Sequence, residues 1–197
     1  MSKINAILTA AASLFSTNGF KGTSMAELSR ITGAAGGTIF HHFKNKEDLF
    51  LNILGDLKET MLAKFDSHLA TSHYKSGLEM VEGVVAFYLQ LAGEMEDQFL
   101  LLHRHYPYQM AVTNSVCRQH LEAIFDCLLD IFEKGIVAGQ KDETVKSMPP
   151  RHTAMVIFAM VDGVVRLNTY HLYNAGSLYN YLMDACRKIL TTEQVTG

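Results

Sequence analysis

The residues able to do chemistry are concentrated between Ser24 and Lys46. Thr38, His41 and His42 bring a hydroxyl and two imidazoles, Lys44 and Lys46 bring ammonium groups, and Phe40 brings an apolar ring. Gly36 and Gly37 leave the backbone bare, so another backbone can come close there. Such a set suits the holding of a polyanion and the reading of its edges. It does not suit bond breaking. The chain shows no nucleophile beside a base and no paired carboxylates in an apolar setting, and Gly36-Gly37 is no phosphate-cradling loop, because it follows no strand and no Lys-Ser/Thr pair comes after it. His103 and His105 fall on different helix faces, and Cys117 with His120 is a single three-residue pair, so no metal site is expected. We expect neither an enzyme nor a cofactor.

The elements that must position these residues are helical. Ser24-Met25-Ala26-Glu27 has the form of a capping box, which places a helix start at Ser24. Met25, Leu28 and Ile31 then recur every third residue as an inward face, and Gly33 supplies the positive φ where that helix stops. In the next, very short helix, Ile39 and Phe43 face inward while Thr38, Phe40, His41 and His42 lie around the other faces. Two helices joined by a glycine turn, the second short and polar outside, describe a helix-turn-helix whose second helix enters a DNA major groove. Ahead of them Ile4, Ile7, Leu8, Ala11, Leu14 and Phe15 form an amphipathic buttress ending near Thr17, with Gly19 as its stop.

Charge is distributed in the same sense. The formal net charge is −3, yet residues 1–46 carry five basic side chains against one acidic, a balance of +4, and residues 47–197 carry 12 against 19, a balance of −7. A positive head on an acidic body touches phosphate only with the head. No apolar run reaches the roughly 18 residues of a membrane span, and the N-terminus lacks a secretory pattern. We expect a cytoplasmic protein without a membrane partner. Cys117, Cys127 and Cys186 are scattered and odd in number, as reduced core thiols are.

Along the rest of the chain, Asn45 caps a long connector helix that begins with Lys46, Glu47 and Asp48 and runs to about Leu69. Further helices are expected over Leu78 to Leu91, Phe99 to Tyr106 with Pro107 as terminator, Thr113 to Ala138, Arg151 to Tyr173 and Leu178 to Leu190. The class is all-α, about nine helices, with no strand. Val156, Ala159, Met160, Gly163, Val164 and Leu167, with Leu178, Leu182, Ala185 and Ile189, offer more apolar surface than one body needs; paired with a copy, they would form a four-helix interface.

The run Gly37-Thr38-Ile39-Phe40-His41-His42-Phe43-Lys44-Asn45-Lys46-Glu47-Asp48-Leu49, preceded by Leu14-Phe15, Gly19-Phe20 and Thr23-Ser24-Met25, resembles the N-terminal DNA-binding domain of TetR-type (tetracycline-repressor-like) transcriptional regulators. The remaining chain matches that family only in length and helical character. The resemblance implies a DNA-binding domain at 1–48 and a helical ligand-binding and dimerisation domain at 49–197. It implies DNA contacts from Ser24, Gly36, Gly37, Thr38, Phe40, His41, His42, Lys44 and Lys46. Ala35, Gly36 and Phe40 depart from the family pattern; Phe40 stands where many relatives have a phosphate-binding tyrosine. For the body the resemblance implies a small-molecule pocket, for which Phe65, Phe87, Tyr88, Leu91, Phe99, Leu102, Tyr106, Tyr108, Met110, Phe125 and Phe158 are the candidates; these same residues also read as ordinary core. The function implied is a repressor that binds a palindromic double-stranded operator as a homodimer and is released by an apolar or aromatic effector. An activator, or a regulator independent of any ligand, is the alternative.

Overall fold

The computed structural model describes residues 3–33, 39 and 41–192, apart from the side chains of Lys3 and Ala175. Among them are nine α-helices, one 3-10 turn and no strand. We number the helices α1 (Lys3–Gly22), α2 (Met25–Thr32), α3 (Lys46–Thr71), α4 (Gly77–Glu94), α5 (Glu96–Leu102), α6 (His105–Thr113), α7 (Ser115–Lys141), α8 (Pro150–Thr169) and α9 (Tyr179–Leu190), with the 3-10 turn at Ala175–Leu178. The all-helical expectation holds. The chain folds into two compact units, Met1–Ala63 with Met95–Ile124, and Lys64–Glu94 with Phe125–Gly197.

In the first unit, α1 is interrupted where the sequence placed its stop, because Gly19 adopts φ 74° and ψ 165°. The Thr23 hydroxyl ties the elbow that follows, donating to the carbonyls of Leu14 at 3.1 Å and Gly19 at 3.0 Å. Ser24 caps α2, its Oγ accepting the Glu27 N–H at 3.1 Å, and Gly33 closes the helix in the left-handed region at φ 63°. Leu28 is buried, but Ile31 is 48% exposed. Three-residue steps leave residues 25 and 31 about 120° apart on a helix, so only the middle one can face the core squarely. Ile7, Ala11, Phe15, Leu28, Ile39, Phe43, Leu49 and Phe50 are all buried in this unit.

The helix expected over Phe99 to Tyr106 is in fact divided. α5 ends at Leu102 and α6 begins at His105, so Pro107 sits in the first turn of a new helix instead of terminating an old one. A first-turn residue has no intrahelical partner for its N–H, so proline costs nothing there. Asn114 caps α7, its Oδ1 accepting from Val116 and Cys117, both at 3.0 Å. Val116 in the first turn of α7 is 45% exposed, and Cys117 beside it is buried.

The second unit is built on Val81, Val84, Val85, Tyr88 and Leu91 of α4, Leu128, Phe132 and Ile136 of α7, Ile157, Val161 and Val165 of α8, and Leu182, Cys186 and Leu190 of α9, all buried. Gly77 and Gly139 let α4 and α7 approach until backbone nearly touches backbone; a Cβ added at Gly77 would lie 1.9 Å from the Gly139 nitrogen.

Candidate nucleic-acid interface

Ile39 and Phe43 are buried and linked by one helical turn, the Phe43 N–H donating to the Ile39 carbonyl at 2.9 Å. Their burial turns His41 and His42 outward: both are exposed, with ring centroids 5.2 Å apart. Lys44 is exposed as well. Asn45 then starts α3, its Oδ1 accepting the Asp48 N–H at 2.8 Å, while Asp48 Oδ2 accepts the Lys44 N–H at 2.8 Å. This reciprocal pair fixes the chain direction between His42 and α3. Gly36, Gly37, Thr38 and Phe40 lie outside the described residues. Ser24 is exposed and engaged as a cap, and its oxygen can still accept or donate a further bond.

Lys46 has a different occupation. Its ammonium donates to the carbonyls of Phe20 at 2.6 Å and Thr23 at 2.9 Å and stands 4.4 Å from the centre of the Phe20 ring. Phe20 in turn stacks on Tyr106, with centroids 3.8 Å apart and planes 8° from parallel. Burial, with Glu47 beside it, pushes the Tyr106 hydroxyl up to about 12. Arg104 completes this corner by donating from Nε to the Ser16 carbonyl at 2.9 Å and from Nη2 to the Thr17 carbonyl at 2.9 Å, which satisfies two carbonyls near the end of α1. Neither Arg104 nor the Phe20 stacking was legible in the sequence. The signal available was an arginine within the otherwise apolar and aromatic run from Phe99 to Tyr108, with nothing to name its partners.

The candidate pocket residues fall in both units. Phe65, Phe87, Tyr88, Phe125 and Phe158 form one aromatic chain in the second unit, with neighbouring centroids 4.9–6.4 Å apart; Leu91 is buried in that unit. Phe99, Leu102, Tyr106, Tyr108 and Met110 belong to the first unit. The Tyr88 hydroxyl donates to Asp162 at 2.7 Å. A cavity of about 410 Å³ opens in the second unit between Ala86, Leu89, Gln90, Val165, Asn168 and Tyr179, and none of the candidate residues lines it.

Of the candidate interface residues, Val156 is 52% exposed and Ala159 is exposed; Met160, Gly163, Val164, Leu167, Leu178, Ala185 and Ile189 are partly exposed. A Cβ at Gly163 would meet nothing within 4 Å. Leu182 departs from the expectation. It is buried on the inward stripe of α9 with Cys186 and Leu190, and Tyr181, 75% exposed, takes the outer position. Spacing finds the stripe of a helix but not which way it turns. Among the described residues no cluster of His, Cys, Asp or Glu could hold a metal ion, and no helix is long and apolar enough to cross a membrane.

A capped α2 closed by Gly33, followed by the buried pair Ile39 and Phe43 with His41 and His42 exposed between them, fits a helix-turn-helix. Residues 7–53 match the family model of bacterial regulatory proteins, tetR family. The HTH-type transcriptional regulator UidR of Escherichia coli K12 is 34% identical over 88 residues, which are 45% of this chain and 44% of UidR. The chain thus spans less than half the length of that relative. Two solved structures share the fold. A transcriptional regulator from Saccharomonospora viridis in complex with choline superposes with a TM-score of 0.85 at 18% identity, covering 96% of this chain and 98% of that one. The regulator FadR from Bacillus subtilis, in complex with stearoyl-CoA, superposes with a TM-score of 0.74 at 19% identity, covering 95% and 99%. Residues 7–53 therefore match the DNA-binding domain of the TetR family, over the stretch where the run from Leu14-Phe15 to Leu49 implied it. The relatives are named as regulators, not as enzymes.

Proposed function

We propose that this protein is a ligand-responsive transcriptional repressor that acts in the cytoplasm as a homodimer on a palindromic operator. The observation that carries the reading is the outward placement of His41, His42 and Lys44 by the buried pair Ile39 and Phe43, directly after a capped and closed α2. Residues 1–48 act as the DNA-binding domain, with Ser24, Gly36, Gly37, Thr38, Phe40, His41 and His42 meeting DNA and Lys44 a phosphate. Residues 49–197 receive the effector and the partner subunit. The aromatic chain from Phe65 to Phe158 supports an apolar or aromatic effector. Two proteins of the same fold carry ligands as different as choline and stearoyl-CoA, which supports a ligand-binding body while leaving its preference to this chain's own side chains. Effector binding lowers DNA affinity only to the extent that the effector prefers the form with the wrong head spacing.

The test has two arms. In gel shifts with DNA flanking its own gene, His41→Ala alters sequence preference, while Lys44→Ala weakens binding to all sequences alike. In thermal melts against a panel of fatty acyl-CoAs and aromatic acids, a binder raises the melting temperature and the same compound releases the DNA. A compound that stabilises the protein without releasing DNA, or the absence of any stabilising compound, favours the ligand-independent regulator. No shift with any flanking DNA rejects the reading.

A further inference from the structure

Lys46 occupies the place from which the family resemblance implies a phosphate contact, and the structure gives its charge other work. Helix ends leave carbonyls without intrahelical partners, and a cation at a C-terminus is favoured by the helix dipole. The Lys46 ammonium meets that need at the α1–α2 elbow, with the Phe20 carbonyl at 2.6 Å, the Thr23 carbonyl at 2.9 Å and the Phe20 ring at 4.4 Å. Of its three protons two are used, and the side chain is half-buried where Lys44 is exposed. The acceptors are backbone atoms of the segment that launches α2, so the bonds fix that segment's direction relative to the first turn of α3. The ring is held from its other sides by Tyr106 at 3.8 Å, Phe15 at 5.5 Å and Phe50 at 5.6 Å. Lys46 is thereby tied to a cluster that does not yield independently.

We propose that Lys46 is a positioning residue. It fastens the α1–α2 elbow to the start of α3 and so sets the orientation of α2 and of the Ile39–Phe43 turn, and phosphate charge is neutralised by other cations, Lys44 foremost. The inference deepens the DNA-binding reading and rests on it. A lysine that neutralises a phosphate contributes to the salt dependence of binding, whereas one that orients the reading elements changes affinity at every salt concentration equally.

The experiment compares wild type, Lys44→Ala, Lys46→Ala and Lys46→Arg by fluorescence anisotropy on a labelled duplex from the flanking DNA. Salt is varied from low to physiological, at a temperature where each variant is folded, and amide hydrogen exchange is followed in parallel. Lys44→Ala flattens the slope of log Kobs against log salt by about 0.9, the contribution of one phosphate. Lys46→Ala lowers affinity roughly tenfold, the loss expected of a charge-assisted bond pair, with the slope unchanged. Exchange at residues 20–28 accelerates and that of α8 does not, and Lys46→Arg restores most of the affinity. If Lys46→Ala is too unstable to assay, Lys46→Met, which keeps the apolar stem over Phe20, carries the same readouts. A slope flattened by about 0.9 in Lys46→Ala or Lys46→Met, or unchanged exchange at the elbow, overturns the proposal. Should wild type bind no duplex, it is the DNA-binding reading that fails, and the exchange measurement still decides whether Lys46 holds the elbow.

Discussion

His68 lies flat on Phe87, with centroids 3.9 Å apart and planes 5° from parallel, and its Nε2 meets the Tyr74 hydroxyl at 2.8 Å. Burial lowers its pKa, as it lowers that of His120, where Lys58 acts in the same direction and Glu59 against it. A folded-state pKa below the unfolded value of about 6.5 means that the unfolded chain binds protons first as pH falls. The stability contributed by neutral His68 and His120 is therefore complete above about pH 6.5 and declines as pH drops below it. Melting temperatures followed from pH 7.5 to 5.5 should fall, and His68→Gln, which can keep a bond to Tyr74, should flatten the decline. A melting temperature constant over that range would contradict it. At this scale the sequence was legible where an interaction is local. Ser24 three residues before Glu27 announced its cap, and Asn45 before Asp48 did the same. It was silent on Lys46 and Arg104, because the carbonyls they meet are 23 to 88 residues away and every residue type offers a carbonyl.

Between elements, glycines decide how closely helices pack. A Cβ at Gly77 would fall 1.9 Å from the Gly139 nitrogen and 2.4 Å from the Gly135 oxygen, backbone atoms that cannot rotate aside. Gly77→Ala should cost at least about 2 kcal/mol, as overpacking does in a tight core. Gly93, also helical, has nothing within 4 Å of its Cβ direction, and Gly93→Ala should be neutral or stabilise by up to about 1 kcal/mol. Urea denaturation of the two variants measures the difference, and equal effects would refute the close approach. In the sequence Gly77 merely precedes the helix expected from Leu78, with nothing to mark the close approach. Pro107 read as a terminator, because proline disfavours a helix interior, and a first turn and an interior look alike until the preceding break at His103 and Arg104 is known. Helix existence was legible from the apolar period except at α6, which the sequence reading did not contain. Which residue of a stripe faces in was not legible, as Ile31 and Leu182 show.

On the proposed reading the whole molecule works through two heads. The outer faces of α8 and α9 present Met155, Val156 and Tyr181 to solvent, each at least half exposed, and Gly163 leaves room for another backbone. Gly163→Arg should convert the proposed dimer to a monomer in light scattering and weaken operator binding by roughly 100-fold or more, because one half-site contact is lost. The charge division between head and body was legible in the sequence, since it needs only counting. The cavity of the second unit was not, since aromatic residues serve core and pocket alike until their neighbours are known. The measurement that bears most directly on the central claim is a titration of DNA flanking the gene with wild-type protein, competed by random duplex, with the mass of the complex determined. The reading predicts a preference of roughly 1,000-fold or more for a symmetric site, occupied by an even number of chains. Equal affinity for random duplex, or one chain per site, would contradict it.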